Sequence, residues 1–265
     1  MKTSSLPKLQ LVTIHNVVAC LLMIGAGATL PAQAAPEEIQ VYMDDMSAPG
    51  QFGLDVHNNF VLSGAAAPSY PGQAPPQHMY RLTPEFYYGL SKSLELGVYL
   101  LATRDAQGDA HFDGSKVRIK YIAPHDASDG VFWGLNLEAG KTSIRVSAMP
   151  WNVELKGILG VRSGPWTFAL NPNLDSSPSK GGGPVLASLD AKAAYSVTEK
   201  TQLGVEIYNE LGPLSHPQAF NKNSKTLYAV LDQEIVGLDV NAGIGRGLTP
   251  DAERWVMKLI VGTHF

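Results

Sequence analysis

Apolar and polar residues alternate with a period of two along most of the chain beyond residue 50. The last run is the clearest. Trp255, Met257, Leu259, Val261 and Phe265 share one face, and Arg254, Lys258 and His264 share the other. Leu94, Leu96, Val98 and Leu100 alternate with Glu95, Gly97 and Tyr99. Leu203, Val205 and Ile207 alternate with Gln202, Gly204 and Glu206. A strand sends successive side chains to opposite faces, whereas a helix groups every third or fourth, and no window carries a sustained helical stripe. Marking every such run predicts twelve strands: 51–62, 79–90, 94–103, 113–123, 130–140, 151–162, 166–174, 185–196, 202–211, 225–233, 237–245 and 254–265. They are 9–12 residues long. That is the length of a tilted strand crossing a bilayer and exceeds the five or six residues usual in soluble sheets.

The connections alternate as well. Short ones, such as Ser91-Lys92-Ser93 and Ser163-Gly164-Pro165, are followed by long ones carrying Ala67-Pro68-Ser69-Tyr70-Pro71-Gly72, Gly181-Gly182-Gly183-Pro184 or Gly212-Pro213. Short turns on one side and long loops on the other are the habit of outer-membrane barrels. The expected fold is therefore all-β: a transmembrane, antiparallel, up-and-down β-barrel of about 12 strands over residues 51–265. A soluble exported β-sandwich is the alternative.

Composition sharpens this picture. The chain has 265 residues, 45% hydrophobic and 17% charged, with 26 Gly, 18 Pro and a single Cys. A charged fraction below the usual quarter fits strands that keep charge off one face. Residues 1–34 read as a cleaved signal peptide. Lys2 and Lys8 precede the apolar run Val17 to Leu30, and Ala32-Gln33-Ala34 offers small residues for cleavage. A lipoprotein reading at Cys20 is the rival. Loss of the leader removes the only Cys and takes the net charge from −4 to −6. That excludes a disulfide-stapled domain and a Cys-ligated metal centre, and it gives no basis for a nucleic-acid partner.

If the apolar faces meet lipid, the other faces line a lumen. The candidate binding residues there are His57, Arg81, Glu85, Glu95, Tyr99, Lys116, Arg118, Lys120, Glu154, Lys156, Arg162, Glu206 and Tyr208, with Arg254 and Lys258 among the further charges. Such residues are confined inward because Arg or Lys at the lipid midplane costs about 2–4 kcal/mol. Their near balance of sign admits two readings, a lumen plugged by ion pairs or a narrow polar path. Inward Gly53, Gly97, Gly134, Gly160, Gly204, Gly243 and Gly262 either make room in the lumen or relieve strand curvature. Tyr87, Tyr99, Tyr208 and Tyr228 either contact an aromatic or hydrophobic solute or fill space. Trp133, Trp151 and Trp255 fall near outer loops or on outward faces, and Phe52, Trp166, Tyr195 and Phe265 near the periplasmic ends. Residues 35–50, acidic at Glu37, Glu38, Asp44 and Asp45, form a periplasmic segment or a plug. Ile39, Val41 and Met43 alternate there as in a short strand.

Catalytic and cofactor chemistry is not evident. No histidine pairs with a second ligand at metal spacing, and no cofactor motif is present; the 181–183 glycines lack the Lys and Ser/Thr of a phosphate loop. Asp55, His57 and Ser63 leave open a hydrolase at the barrel rim, without a nucleophile elbow.

Several stretches resemble a known group. They are Glu38-Ile39-Gln40-Val41-Tyr42, Gly53-Leu54-Asp55-Val56-His57, Pro68-Ser69-Tyr70-Pro71-Gly72, Arg81-Leu82-Thr83-Pro84-Glu85, Phe132-Trp133-Gly134-Leu135-Asn136 and Gly245-Arg246-Gly247-Leu248-Thr249. Together they resemble proteobacterial outer-membrane proteins grouped in the family named for a MetA pathway of phenol degradation. The resemblance implies an outer-membrane barrel that passes a small solute, not an enzyme. The closing strand, Trp255, Met257, Leu259, Val261 and Phe265, resembles the signal read by the barrel-assembly machinery. The expected partners are thus outer-membrane lipid, that machinery and a small-molecule solute. A plugged barrel acting through its outer loops is the other expectation.

Overall fold

The computed structural model describes residues 38–125, 130–178, 183–217 and 223–265. The leader, Cys20, Glu37 and two of the three glycines at 181–183 lie outside the described residues. Twelve strands form one closed sheet: β1 (Phe52–Ser63), β2 (Tyr80–Gly89), β3 (Leu94–Arg104), β4 (Ala110–Ile122), β5 (Gly130–Thr142), β6 (Trp151–Ser163), β7 (Trp166–Ser176), β8 (Leu186–Thr198), β9 (Thr201–Pro213), β10 (Lys225–Ile235), β11 (Leu238–Gly247) and β12 (Trp255–His264). Each pairs antiparallel with its neighbour in sequence, and β1 closes on β12. The antiparallel up-and-down barrel is as the alternation requires, because only closure removes every unpaired sheet edge.

The apolar face of each strand points out. Val98, Val117, Leu135, Leu137, Leu155, Leu159, Leu203, Val205, Ile244 and Met257 are all exposed on the exterior. Soluble proteins rarely expose an apolar patch beyond about 300–600 Å². A continuous belt of this kind is stable against lipid and not against water. Aromatic groups gather at one end of it. Phe52 packs on Tyr88 and Phe265, Trp166 on Phe168 and Tyr195, and Tyr121 on Trp133. Trp133 thus stands on the outward face, near the end that carries Phe52 and Phe265.

That end, called inner below, also carries the tight turns 90–93, 164–165, 199–200 and 236–237. There the backbones of Phe52 and Phe265 exchange hydrogen bonds of 3.2 and 2.9 Å. Loops 64–79, 105–109, 143–150 and 248–254 gather at the outer end. Loop 64–79 leans across to loop 143–150, where the Ala74 N–H donates to the Arg145 carbonyl at 2.9 Å.

Most predicted strand ends move by one to three residues, and two of these shifts bear on the lumen wall. Strand β4 begins at Ala110 and not 113, because the ladder shifts register between Leu101 and Ala102 and Gly114 adopts φ 134°. A bulge inserts one residue and reverses the phase, so a strict period-two pattern stops there. Arg254 precedes β12 and is exposed, while its neighbour Glu253 turns inward and is buried. Arg254 is therefore not on the lumen wall.

Candidate functional site

Inward charges meet across the strands in an order set by the register. Opposite Glu95 stands Lys120, and opposite Gly97 stands Arg118. The Arg118 guanidinium bridges two acids: its Nε donates to Glu85 and its Nη2 lies 2.8 Å from Glu95 Oε1. Lys120 adds a contact of 3.5 Å to Glu95, and His57 Nε2 lies 3.4 Å from Glu85 Oε2. A second network joins β8 to β12. Lys258 and Lys192 lie 2.5 and 3.3 Å from Glu206, Lys192 is 2.8 Å from Asp232, and the Tyr208 hydroxyl donates to Glu206 at 2.7 Å. On β6, Lys156 pairs with Glu154 at 3.0 Å; on β4 and β5, Lys116 stands 4.0 Å from Glu138. Buried charges persist only when paired in this way, since each unpaired ion costs several kcal/mol.

Inward Gly97 and Gly160 make room for side chains of neighbouring strands. A Cβ on Gly97 would fall 2.7 Å from Arg118 Cγ, and one on Gly160 would fall 2.0 Å from the Phe132 ring. The space beside them is filled by neighbouring strands.

Residues 38–50 lie among these inward side chains. Ile39, Val41, Tyr42 and Ser47 are buried. The segment forms no strand, contrary to the alternation of Ile39, Val41 and Met43. A side chain replaces the ladder: Asn171 Oδ1 accepts from the Tyr42 N–H at 2.6 Å, and its Nδ2 donates to the Tyr42 carbonyl at 3.1 Å. The Tyr42 hydroxyl lies 2.9 Å from Glu38, 2.7 Å from the Tyr99 hydroxyl and 3.2 Å from Glu138. Lys156 stands 4.4 Å from the Tyr42 ring centroid. Nearer the inner end, both Arg162 Nη atoms donate to the two Asp44 oxygens at 2.5 Å, and His125 Nε2 lies 2.7 Å from Asp44. The Ser47 N–H donates to Glu95 at 2.7 Å. At the inner mouth Gly89 lets the backbone pass, since a Cβ there would fall 2.3 Å from the Ala48 carbonyl oxygen.

Apolar contacts complete the seat. Ile122, Phe132, Ile158 and Ala169 form one patch around Val41 and Tyr42, and Val61, Tyr228, Val230 and Val256 form another around Ile39. These residues occupy inward positions where a barrel lined only by water would carry polar groups. Apart from Tyr228, sequence reasoning overlooked them. Their signal was visible as apolar residues on the polar phase, such as Ile158 between Lys156 and Gly160.

Asp44 and His125, both outside the strands, respond to this seat. Burial alone would raise the Asp44 carboxyl, but hydrogen bonds from Arg162 and His125 outweigh it and hold it below its usual value. The Ala123 carbonyl, 2.9 Å from His125 Nδ1, raises the His125 pKa; burial opposes this and Asp44 reinforces it.

Two cavities flank the segment among the described residues. The inner one, about 600 Å³, is bordered by Asp45, Tyr87, Glu95, Lys120 and Arg162. The outer one, about 170 Å³, is bordered by Tyr70, Glu154, Asp175, Tyr208 and Glu210. Gln40 borders both. The inner segment therefore stands between them.

The fold is that of known outer-membrane channels. The chain superposes on an outer membrane channel from Pseudomonas putida F1 with a TM-score of 0.60 and 11% identity, covering 86% of this chain and 100% of that one. It superposes on the KdgM porin with a TM-score of 0.55 and 10% identity, covering 80% and 99%. The KdgM porin in complex with disordered oligogalacturonate gives 0.50 and 10%, covering 80% and 98%. No protein-family model and no curated protein sequence matches the chain. The likeness is thus one of fold.

Within that fold, the predicted lumen residues divide clearly. His57, Arg81, Glu85, Glu95, Tyr99, Lys116, Arg118, Lys120, Lys156 and Glu206 are inward and buried, and Glu154, Arg162 and Tyr208 are inward and half-buried. Tyr99 is sealed against Tyr42, while Tyr87 borders the inner cavity and Tyr208 and Tyr228 the outer one. Met257, Leu259 and Phe265 are exposed on the exterior, with Trp255 and Val261 half-buried on the same face. The rim triad does not assemble: His57 turns to Glu85, and Asp55 accepts from the Tyr87 hydroxyl at 2.9 Å. One atom each of Glu38, His57 and Glu85 come within 4.8 Å of one another. Arg118 and Tyr42 already bind the two glutamates there, so the group is satisfied without an ion.

Proposed function

We propose that the chain is an outer-membrane channel for passive diffusion of a small solute, held closed at rest by residues 38–47. The observation that carries this reading is the pair of cavities on either side of the segment, both bordered by Gln40. A twelve-stranded barrel is wider than the eight-stranded kind that side chains fill and narrower than an open sixteen-stranded porin. One extended segment is therefore enough to interrupt its path. The apolar exterior and the likeness to outer-membrane channels support the location. The leader 1–34, cleaved after Ala34, and recognition of the Trp255–Phe265 strand by the assembly machinery belong to the same proposal. Mass spectrometry of the membrane-extracted protein should give an N-terminus at Ala35.

Planar-bilayer recording tests the channel. The full chain should open rarely, and deletion of residues 39–46 should raise the conductance severalfold. A deletion variant as silent as the parent overturns the channel reading. It favours a plugged barrel acting through its outer loops, for which loss of residues 63–77 would remove the phenotype without changing permeability.

A further inference from the structure

The outer cavity is lopsided in charge. Seven acidic residues and two lysines border it. Register puts three of the acids in one row, Glu138 opposite Glu154 and Glu154 opposite Asp175. Directly opposed side chains have Cβ atoms about 4.5–5.5 Å apart, and like charges there are destabilising. Lys156 and Lys116 answer Glu154 and Glu138. Among the described residues, no ion pair or side-chain hydrogen bond answers Asp175 or Glu210.

A second observation points the same way. Asn173 borders this cavity and is 3% exposed. Its Nδ2 donates to Asp190 at 2.7 Å and to Ser188 at 3.0 Å. A carboxylate accepts only, so the amide orientation is fixed, and the remaining Oδ1 has no hydrogen-bond partner. Asn152, also on the cavity wall, likewise has an Oδ1 without a partner. Asp175, Glu210, Asn173 and Asn152 thus offer acceptors with no donor to meet them.

We infer that the outer cavity is a binding subsite for a small organic cation carrying ammonium or guanidinium groups. An ammonium brings three donors and a guanidinium five, and neither accepts. Acidic rings select cations in the same way in other pores. A chelated metal ion fits less well. The one group of three ligand atoms within 4.8 Å among the described residues, Glu38, His57 and Glu85, includes none of these four. The inference names the solute class for the proposed channel and rests on that reading for its physiological meaning, but its binding test does not need conductance.

Calorimetric titration of spermidine and agmatine into the purified full-length protein should show saturable binding, with citrate giving none. Asp175→Asn and Glu210→Gln should each weaken it about tenfold or more. Both variants should keep their boiling-sensitive gel migration and unfold at equal or higher urea concentration, because each relieves repulsion in the empty cavity. A merely structural carboxylate would instead destabilise when removed. No binding of either cation, binding indifferent to both substitutions, or preferential binding of citrate overturns the inference. Bilayer recordings separate the two proposals. Conductance without cation binding leaves the channel and removes the subsite; binding without conductance does the reverse.

Discussion

The lumen wall around residues 38–47 and the outer cavity are built from the same residue types, paired differently. Around the segment, nearly every charge has an opposite within reach: Arg118 between Glu85 and Glu95, Lys258 and Lys192 on Glu206, Arg162 on Asp44. In the outer cavity, acids stand beside acids. Paired charges cost little once formed and hold a shape. Unpaired ones keep a standing demand for a ligand. The first region therefore reads as a closure and the second as a place of recognition.

That contrast breaks most visibly at Arg118. Arg118→Ala leaves buried Glu85 with only His57 and Glu95 with Lys120 and the Ser47 N–H, and removing one partner of a buried pair costs about 3–5 kcal/mol. Its urea midpoint in micelles should fall well below that of Glu210→Gln, which should not fall at all. Equal losses for the two variants would erase the distinction between the regions.

Arg162→Ala comes next. It removes the fork on Asp44 while leaving the wall intact, a charge-assisted contact worth about 1.5–3 kcal/mol. If the segment is the closure, open probability should rise by roughly one to two orders of magnitude with little change in barrel unfolding. Unchanged gating would move the closure elsewhere.

Gly160→Ala probes the apolar seat. The added methyl meets the Phe132 ring, and overpacking of this kind costs about 1–3 kcal/mol. Segment release should be read as faster cleavage near residue 44 by an added protease. Cleavage at the parental rate would detach Phe132 from the seat.

The smallest effect is on pH. The Asp44 carboxyl is held low, so its contribution to docking is present above the ordinary carboxylate range and is lost as pH falls through its lowered value. The His125 ring is held high, so its contribution is full below about pH 6.5 and fades as pH rises through its raised value. Closure should be firmest between the two, and conductance should increase slightly on either side. His125→Gln should abolish the alkaline limb alone.

Much of this was legible in the chain. Period-two alternation, strand length and alternating connections dictate the barrel, because a lipid-facing strand has only two faces and lipid accepts one kind of residue. The inward charges follow as the complement of that rule. The inner seat was less legible. Phe132, Ile158 and Val256 break the alternation locally, yet a break does not say what covers it. Asn171 reads as an ordinary inward polar residue, although it alone stands in for a strand partner of Tyr42. The tertiary structure decided which acids have partners, through register between strands that the sequence orders but does not align. A slip of two residues keeps every face intact and still changes every neighbour. Alternation sets which way a side chain points; the closed sheet sets which side chain it meets.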